Sequence, residues 1–348
     1  MSTTGARVAL PAPHIYRWDL DKTYLDTDFD SLTALIRTAL QRPAEKQNIP
    51  GSAELLRELR VAAAGNALIY FLSGSPKEMR GVLTEKLRLD GVHFDGFILK
   101  DNLSNLLKFR FKALKEQVGY KLPALLSARV QAPRESEETL FGDDAERDAF
   151  VYSLYADLLA RRVDRTVLAE VLRLAGVYDD SRVTIHRLIE ELQRCDPVRR
   201  ILIHLDRKSP PMHFDAYGPR VVPVYNYFQA ALTLFQDGRL GAGAVGRIGT
   251  ALTTRYGYTL PMLLRSFQDA LRRQLLDRTQ ALRLGAQAPQ HGIGAEVVAL
   301  FAREAEAAKD SPSPLRPQTI PDYPALLARE QQRHQIEKAR RRKISHWL

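Results

Sequence analysis

Apolar and polar positions follow one rhythm in the first half of the chain and another in the second. In the first half, short apolar runs alternate with amphipathic stretches. Ile15 to Leu20 predicts a strand, and Ala67 to Leu72 (ALIYFL) is a continuous apolar run closed by Ser-Gly-Ser-Pro. A run of that length between turn signals fits a strand buried on both faces of a parallel sheet. Further strands are predicted at Phe94 to Leu99 and Glu138 to Phe141. Helices are predicted over Ser31 to Leu40, Ser52 to Arg60, Lys77 to Leu89 and most of 103–128. Ser52 suits an N-cap, with Glu54 and Glu58 following it. This order of strand and helix predicts an α/β fold, a parallel sheet with helices on both faces.

The second half is mostly helical and rich in Leu, Ala and Arg. Two strand-like pieces interrupt it, Arg200 to Leu205 (RILIHL) and Arg220 to Tyr225 (RVVPVY). Pro312, Pro314, Pro317, Pro321 and Pro324 predict a linker or extended strap. No internal repeat is visible. Expected units are a core over 1–240 with a helical insertion at about 155–198, a helical extension over 241–308, and a linker with a basic tail over 309–348.

Composition narrows the class. Hydrophobic residues are 45% and charged residues 26% of the 348 positions, which excludes a disordered chain. No apolar run approaches the roughly 18 residues of a membrane span, and the first residues lack a secretory apolar stretch. Cys195 is the lone cysteine, which excludes a disulfide framework and a cysteine zinc cage, and a cytoplasmic setting is expected. The net charge of +10 is uneven: residues 1–150 hold 21 basic and 21 acidic residues, whereas 151–348 hold 30 and 20. Much of the surplus is a tail with Arg333, Lys338, Arg340, Arg341, Arg342 and Lys343. Such a tail can hold anionic lipid or nucleic acid, or simply solvate a helix end.

The candidate chemistry sits at strand ends. In WDLDKT, Asp19 and Asp21 are two residues apart after a strand, so both would face one side. At the carboxyl end of a parallel strand they would enter the ligand crevice, where paired carboxylates invite a hard divalent cation such as Mg²⁺. Ser73 follows an apolar strand, and its hydroxyl with neighbouring backbone N–H groups could take phosphate oxygens. Lys121 opens YKLPALLSAR and could neutralise phosphate. Asp143, Asp144 and Asp148 follow the next strand and offer further metal oxygens.

The order DLDKT, LSGSP, YKLPALL, FGDDAERDAFVY resembles the haloacid dehalogenase superfamily of aspartyl phosphatases. More closely, it resembles the actin-patch-type phosphatidate phosphatases, relatives of lipins. Asp148 and Tyr152 match that branch's Asp-x-x-x-Tyr pattern, and RILIHLDR and RVVPVYNYFQAALTLFQDGRL resemble its closing elements, so the likeness spans about 14–240. The resemblance implies a Rossmannoid sheet and Mg²⁺-dependent phosphomonoester hydrolysis. Asp19 would be the nucleophile, forming an aspartyl-phosphate, and Asp21 the general acid and then base. The Asp19 carboxylate, the Asp21 carbonyl and Asp143 would hold Mg²⁺, and Asp144 or Asp148 would complete the shell. Ser73, Gly74 and Lys121 would bind the phosphoryl group, and Thr23 would brace the loop. Phosphatidate or another lipid phosphate is the implied substrate. A soluble or nucleic-acid-terminal phosphate, or a non-catalytic anion-docking module, are the alternatives.

Other residues invite weaker readings. Gly241-x-Gly243-x-x-Gly246 follows helix-like sequence and predicts a flexible turn rather than a dinucleotide site. His204 and Asp206 suit a strand end that satisfies its own hydrogen bonds. His186 and His213 lack ligand spacing, and Cys195 has no activating partner. Lys108, Lys112 and Lys115 rank behind Lys121 as phosphate ligands. Tyr225, Tyr227, Phe228 and Phe235 suit the core. Arg17 stands where a central strand is normally apolar, and the short stretch from Asp21 to Ser73 holds no obvious lid.

Overall fold

The computed structural model describes residues 12–26, 46–100, 113–287, 295–307 and 320–332. The expected helix at Ser31 to Leu40, Lys108, Lys112 and the tail from Arg333 lie outside the described residues. In chain order the elements are β1 (His14–Asp19), α1 (Ser52–Ala62), β2 (Ala67–Pro76), α2 (Arg80–Leu89), β3 (Gly96–Lys100), α3 (Ala113–Val130), β4 (Glu138–Asp143), α4 (Asp148–Leu159), α5 (Arg165–Leu174) and α6 (Asp179–Glu191). There follow β5 (Val198–His204), β6 (Val221–Val224), α7 (Tyr227–Gln236), α8 (Ala242–Arg255), α9 (Leu260–Arg272), α10 (Arg278–Gln287) and α11 (Ala295–Ala307). A last helix, α12, spans 323–332.

The strands form one parallel sheet in the order β3-β2-β1-β4-β5-β6. The chain steps outward from β1 to β3, then returns to start again at β4 on the other side of β1. This reversal opens a crevice beyond the carboxyl ends of β1 and β4, the usual ligand position in open α/β sheets. Trp18 pairs with Phe141 in register, so Asp19 and Asp143, which end their strands, reach the crevice together.

Each sheet face buries its own apolar cluster. On one face Trp18 and Phe71 meet Leu55, Leu83, Leu232, Ile248 and Phe267, so α1, α2, α7, α8 and α9 share one core. Phe301 of α11 enters the same cluster. On the other face Leu72 and Leu140 meet Leu122, Phe150, Leu172, Ile185 and Tyr323. The helices between β4 and β5 and the terminal helix α12 therefore cover this side. The α/β class, the helical insertion and the helical extension agree with expectation.

Several local expectations are corrected. The Ser-Gly-Ser-Pro turn is part of β2, which runs to Pro76. Lys121 lies in the middle of α3 rather than opening a helix. Pro123 costs that helix a backbone bond, but Val118, Leu122, Leu125 and Leu126 are fully buried along it, and packing holds it. Ser52 is not the cap of α1: Gly51 is, at φ 87, and the Ser52 hydroxyl instead donates to the Tyr24 carbonyl at 3.1 Å. A Cβ at position 51 would stand 3.2 Å from that of Tyr227. Gly241 caps α8, with Gly243 and Gly246 buried inside that helix, so the three glycines are no flexible turn. Pro312, Pro314 and Pro317 lie outside the described residues, and Pro321 and Pro324 stand at the start of α12, a docked helix.

Arg17 is buried in the middle of β1 and bonds Glu138 of β4 through two 3.0 Å contacts. Arg129 and Tyr155 complete the set around Glu138 at 3.2 and 2.9 Å. A full hydrogen-bond shell is what lets an ion pair sit inside a sheet.

Candidate active site

Three carboxylates converge at the carboxyl end of the sheet. Asp19, Asp143 and Asp148 are fully buried, and one oxygen from each lies within 4.8 Å of the other two. Strand geometry brings the first two, and the start of α4 brings the third. The glycine before Asp143 makes this possible. A Cβ on Gly142 would fall 2.4 Å from Asp148 Cβ and Oδ2, so only glycine lets the Asp148 side chain lie across the strand. The Asp148 Oδ2 accepts the Asp143 backbone N–H at 3.1 Å, and Asp143 Oδ1 accepts those of Ala145 and Glu146 at 2.5 and 2.9 Å.

Lys121 is the counter-ion. Its Nζ stands 2.8 Å from Asp19 Oδ1, 2.5 Å from Asp148 Oδ1 and 3.1 Å from Glu146 Oε2. Desolvation would lower its pKa, but Asp148, Asp19 and Glu146 outweigh that and hold the ammonium well above its usual value. One ammonium does not offset the clustered negative charge of these acids. Burial pushes Asp19 well above the carboxylate range, Lys121 opposes the shift, and Asp148, Glu146 and Asp143 add to it. Burial, Asp148 and Glu146 push Asp143 up likewise. Neither Asp19 oxygen has a hydrogen bond. An all-oxygen donor set with surplus negative charge suits a hard divalent cation.

The remaining predicted residues divide. Asp21 is buried beside the cluster, and its Oδ2 accepts from Ser73 Oγ at 3.1 Å and Ser75 Oγ at 3.5 Å. Ser73 Oγ in turn accepts the Ser75 backbone N–H at 3.0 Å. Gly74, between them, has open space where a Cβ would stand. Thr23 Oγ1 reaches Asp143 Oδ2 at 3.4 Å. Asp144 is not brought to the cluster: its carboxylate accepts the backbone N–H groups of Arg207 and Ser209 at 2.8 and 3.1 Å, tying β4 to the loop after β5. Among the described residues no other group of His, Cys, Asp or Glu has metal-ligand spacing. A surface cavity of about 440 Å³ beside Glu58, Gly243 and Arg247 shares no residue with the acids.

Sequence reasoning missed several neighbours. Glu146 was visible in GDDAERD, yet nothing in the spacing marks it as a partner of Lys121. The Tyr120 hydroxyl donates to the Ser73 carbonyl at 2.8 Å. Lys46 is buried, and burial lowers its pKa while the charge of Asp21 opposes that shift. Tyr227 packs in the core as expected, but its hydroxyl donates to the Thr23 carbonyl. His204 does end a strand, and its Nδ1 meets the Lys22 carbonyl at 3.0 Å while its ring stacks on Tyr227. Both therefore brace the loop that follows Asp19.

A parallel sheet with central strands ending in buried carboxylates beside a buried lysine defines an α/β domain of Rossmannoid type. Residues 18–173 match the family described as phosphatidate phosphatase APP1, catalytic domain. The resemblance read from the motifs holds over that segment, which carries the end of β1, all of β2 to β4 and every residue of the acidic cluster. No curated protein and no solved structure gives a significant match.

Proposed function

We propose that the protein is a Mg²⁺-dependent phosphomonoesterase that works through an aspartyl-phosphate on Asp19. The observation that carries this reading is the Asp19 carboxylate itself, buried without a hydrogen bond at the crevice and facing Lys121, Asp143 and Asp148. A buried carboxylate held by one ion pair and no hydrogen bond is costly in a merely structural role.

Asp19 attacks phosphorus and displaces the ester oxygen, forming the acyl phosphate. Asp21 protonates the leaving oxygen, then takes a proton from the water that hydrolyses the intermediate. Its bonds from Ser73 and Ser75 fix the carboxyl for both transfers. Lys121, Ser73 and the Gly74 backbone hold phosphoryl oxygens. Asp19, Asp143 and Asp148 would hold the Mg²⁺, together with the Asp21 carbonyl. When bound, the ion offsets charge on the phosphoryl group. The activity of the matched family supports phosphatidate or another lipid phosphate as substrate. No helix among the described residues is long and apolar enough to cross a membrane. Contact with an anionic membrane would then be peripheral, through the basic tail.

The test is an aryl phosphate assay with Mg²⁺ on the wild type and Asp19→Asn. The expected result is turnover lost on the order of 10⁴-fold in the variant. Equal turnover by both proteins, or none by the wild type on lipid, sugar, nucleotide and peptide phosphates, overturns the reading.

A further inference from the structure

The last described helix, α12, lies more than 170 residues beyond Asp148, yet it grips the element that Asp148 begins. Tyr323 and Leu327 are fully buried. The Tyr323 ring stands edge-on to Phe150 of α4 at 5.6 Å, and its hydroxyl donates to Asp157 Oδ2, on the same helix, at 2.6 Å. At the other end of α12, Glu330 Oε2 accepts from Arg147 Nη1 at 3.1 Å, and Oε1 accepts from the Tyr217 hydroxyl at 2.6 Å. The Arg147 and Glu330 side chains are 16% and 11% exposed, so water screens this pair less than a surface pair.

Arg147 directly precedes Asp148 and caps α4 at φ 70, without a side-chain hydrogen bond at the cap. A non-glycine residue keeps that left-handed conformation only where its surroundings hold it. The turn it closes carries Asp143, Glu146 and Asp148, which Lys121 and the turn's own backbone N–H groups hold together.

We propose that α12 is a clasp for this turn, and that Glu330 is a positioning residue which, through Arg147, sets the spacing of Asp143 and Asp148. Residues beyond the family match thereby complete the cation site. The catalytic consequence rests on the phosphatase reading. The fixing of the turn does not.

The experiment uses the full chain and compares wild type, Glu330→Ala, Glu330→Gln, the charge exchange Arg147→Glu with Glu330→Arg, and Gln331→Ala as a control on the same helix. Gln331 bonds the Leu174 carbonyl at 3.2 Å and does not touch the turn. Amide hydrogen exchange over 143–148 is measured without metal, and Mg²⁺ affinity by calorimetry. Glu330→Ala should lose exchange protection in the turn and weaken Mg²⁺ binding by about 10–100-fold, the usual effect of removing an outer partner of a metal ligand. Glu330→Gln should fall between, the charge exchange should recover most of the loss, and Gln331→Ala should match the wild type. Unchanged protection and affinity in Glu330→Ala overturns the proposal. So does a control that loosens the turn equally, or a charge exchange that folds but recovers nothing. A wild type that hydrolyses no phosphoester, with a turn that still loosens in Glu330→Ala, sinks the phosphatase reading and leaves the clasp standing.

Discussion

Two buried ionic clusters hang from one face of β1, two residues apart, and they are built in opposite ways. Around Glu138 every carboxylate oxygen is used, by Arg17, Arg129 and Tyr155. Burial alone would raise the Glu138 pKa, but Arg17 and its companions hold it below the usual range. Around Asp19 three carboxylates share one ammonium, burial wins, and the acids are pushed up. Both clusters are equally hidden from water. They differ in satisfaction: the first is closed by the protein's own donors, while the second is left one cation short. Burial of charge therefore does not by itself mark a site. Burial without complete pairing, at the end of a strand that opens on a crevice, does.

The comparison breaks most directly by neutralising each acid in turn. Asp19→Asn should abolish turnover and leave metal-free stability unchanged or raised, because burial and the neighbouring acids outweigh the Lys121 ion pair at that charge. Glu138→Ala should leave two buried guanidinium groups facing each other and cost about 3–5 kcal/mol in urea unfolding. A destabilisation by Asp19→Asn as large as that by Glu138→Ala would dissolve the distinction.

Acid and metal sharpen it next. Glu138 has a depressed folded pKa, so its stabilisation is present above the unfolded value of about 4.3 and is lost as pH falls through its lower folded pKa. Asp19 and Asp143 have raised folded pKa values, so without metal their ionisation opposes folding increasingly as pH rises from about 4 through those values. A bound divalent cation reverses that second trend. Thermal melts at pH 6 and pH 8, with Mg²⁺ and with chelator, should show the larger Mg²⁺ gain at pH 8, about 2.7 kcal/mol at a hundredfold excess over Kd. No gain at either pH argues against a cation at these acids.

How much of this could be read from the chain follows the same division. Asp19, Asp21, Ser73, Lys121, Asp143 and Asp148 stand at predicted strand ends or on a predicted helix, and the parallel order of the strands brings them together. Local pattern and topology suffice for that much. Asp144 looked equivalent to its neighbours because spacing alone cannot say which carboxylate faces the crevice. Its bonds to Arg207 and Ser209 depend on where the loop after β5 passes, a tertiary fact. Arg17 looked like an error in a central strand because its partner lies 121 positions away. Lys121 looked like the opening of a helix, yet the helix begins at Ala113 and runs through Pro123, where its apolar packing carries it.

Tyr227 gives the smallest and most discriminating effect. By sequence it is one aromatic among several on an apolar helix, and the structure does bury it, stacked on Trp18 at 5.5 Å. Only its hydroxyl reaches outside the core, to the Thr23 carbonyl in the loop between Asp19 and Asp26. That loop also carries Lys22 at φ 56, with its carbonyl met by His204. Tyr227→Phe keeps the ring and deletes one hydrogen bond. Global stability should fall by about 1 kcal/mol, the ordinary worth of such a bond. If the hydroxyl only fills a polar gap, turnover should be untouched. If it holds the loop that presents Asp21, kcat should fall several-fold while KM for an aryl phosphate stays near the wild-type value, because the acid that protonates the leaving oxygen is displaced and the phosphate contacts at Ser73 and Lys121 are not. We expect the second outcome, and unchanged kcat and KM would assign Tyr227 to the core alone.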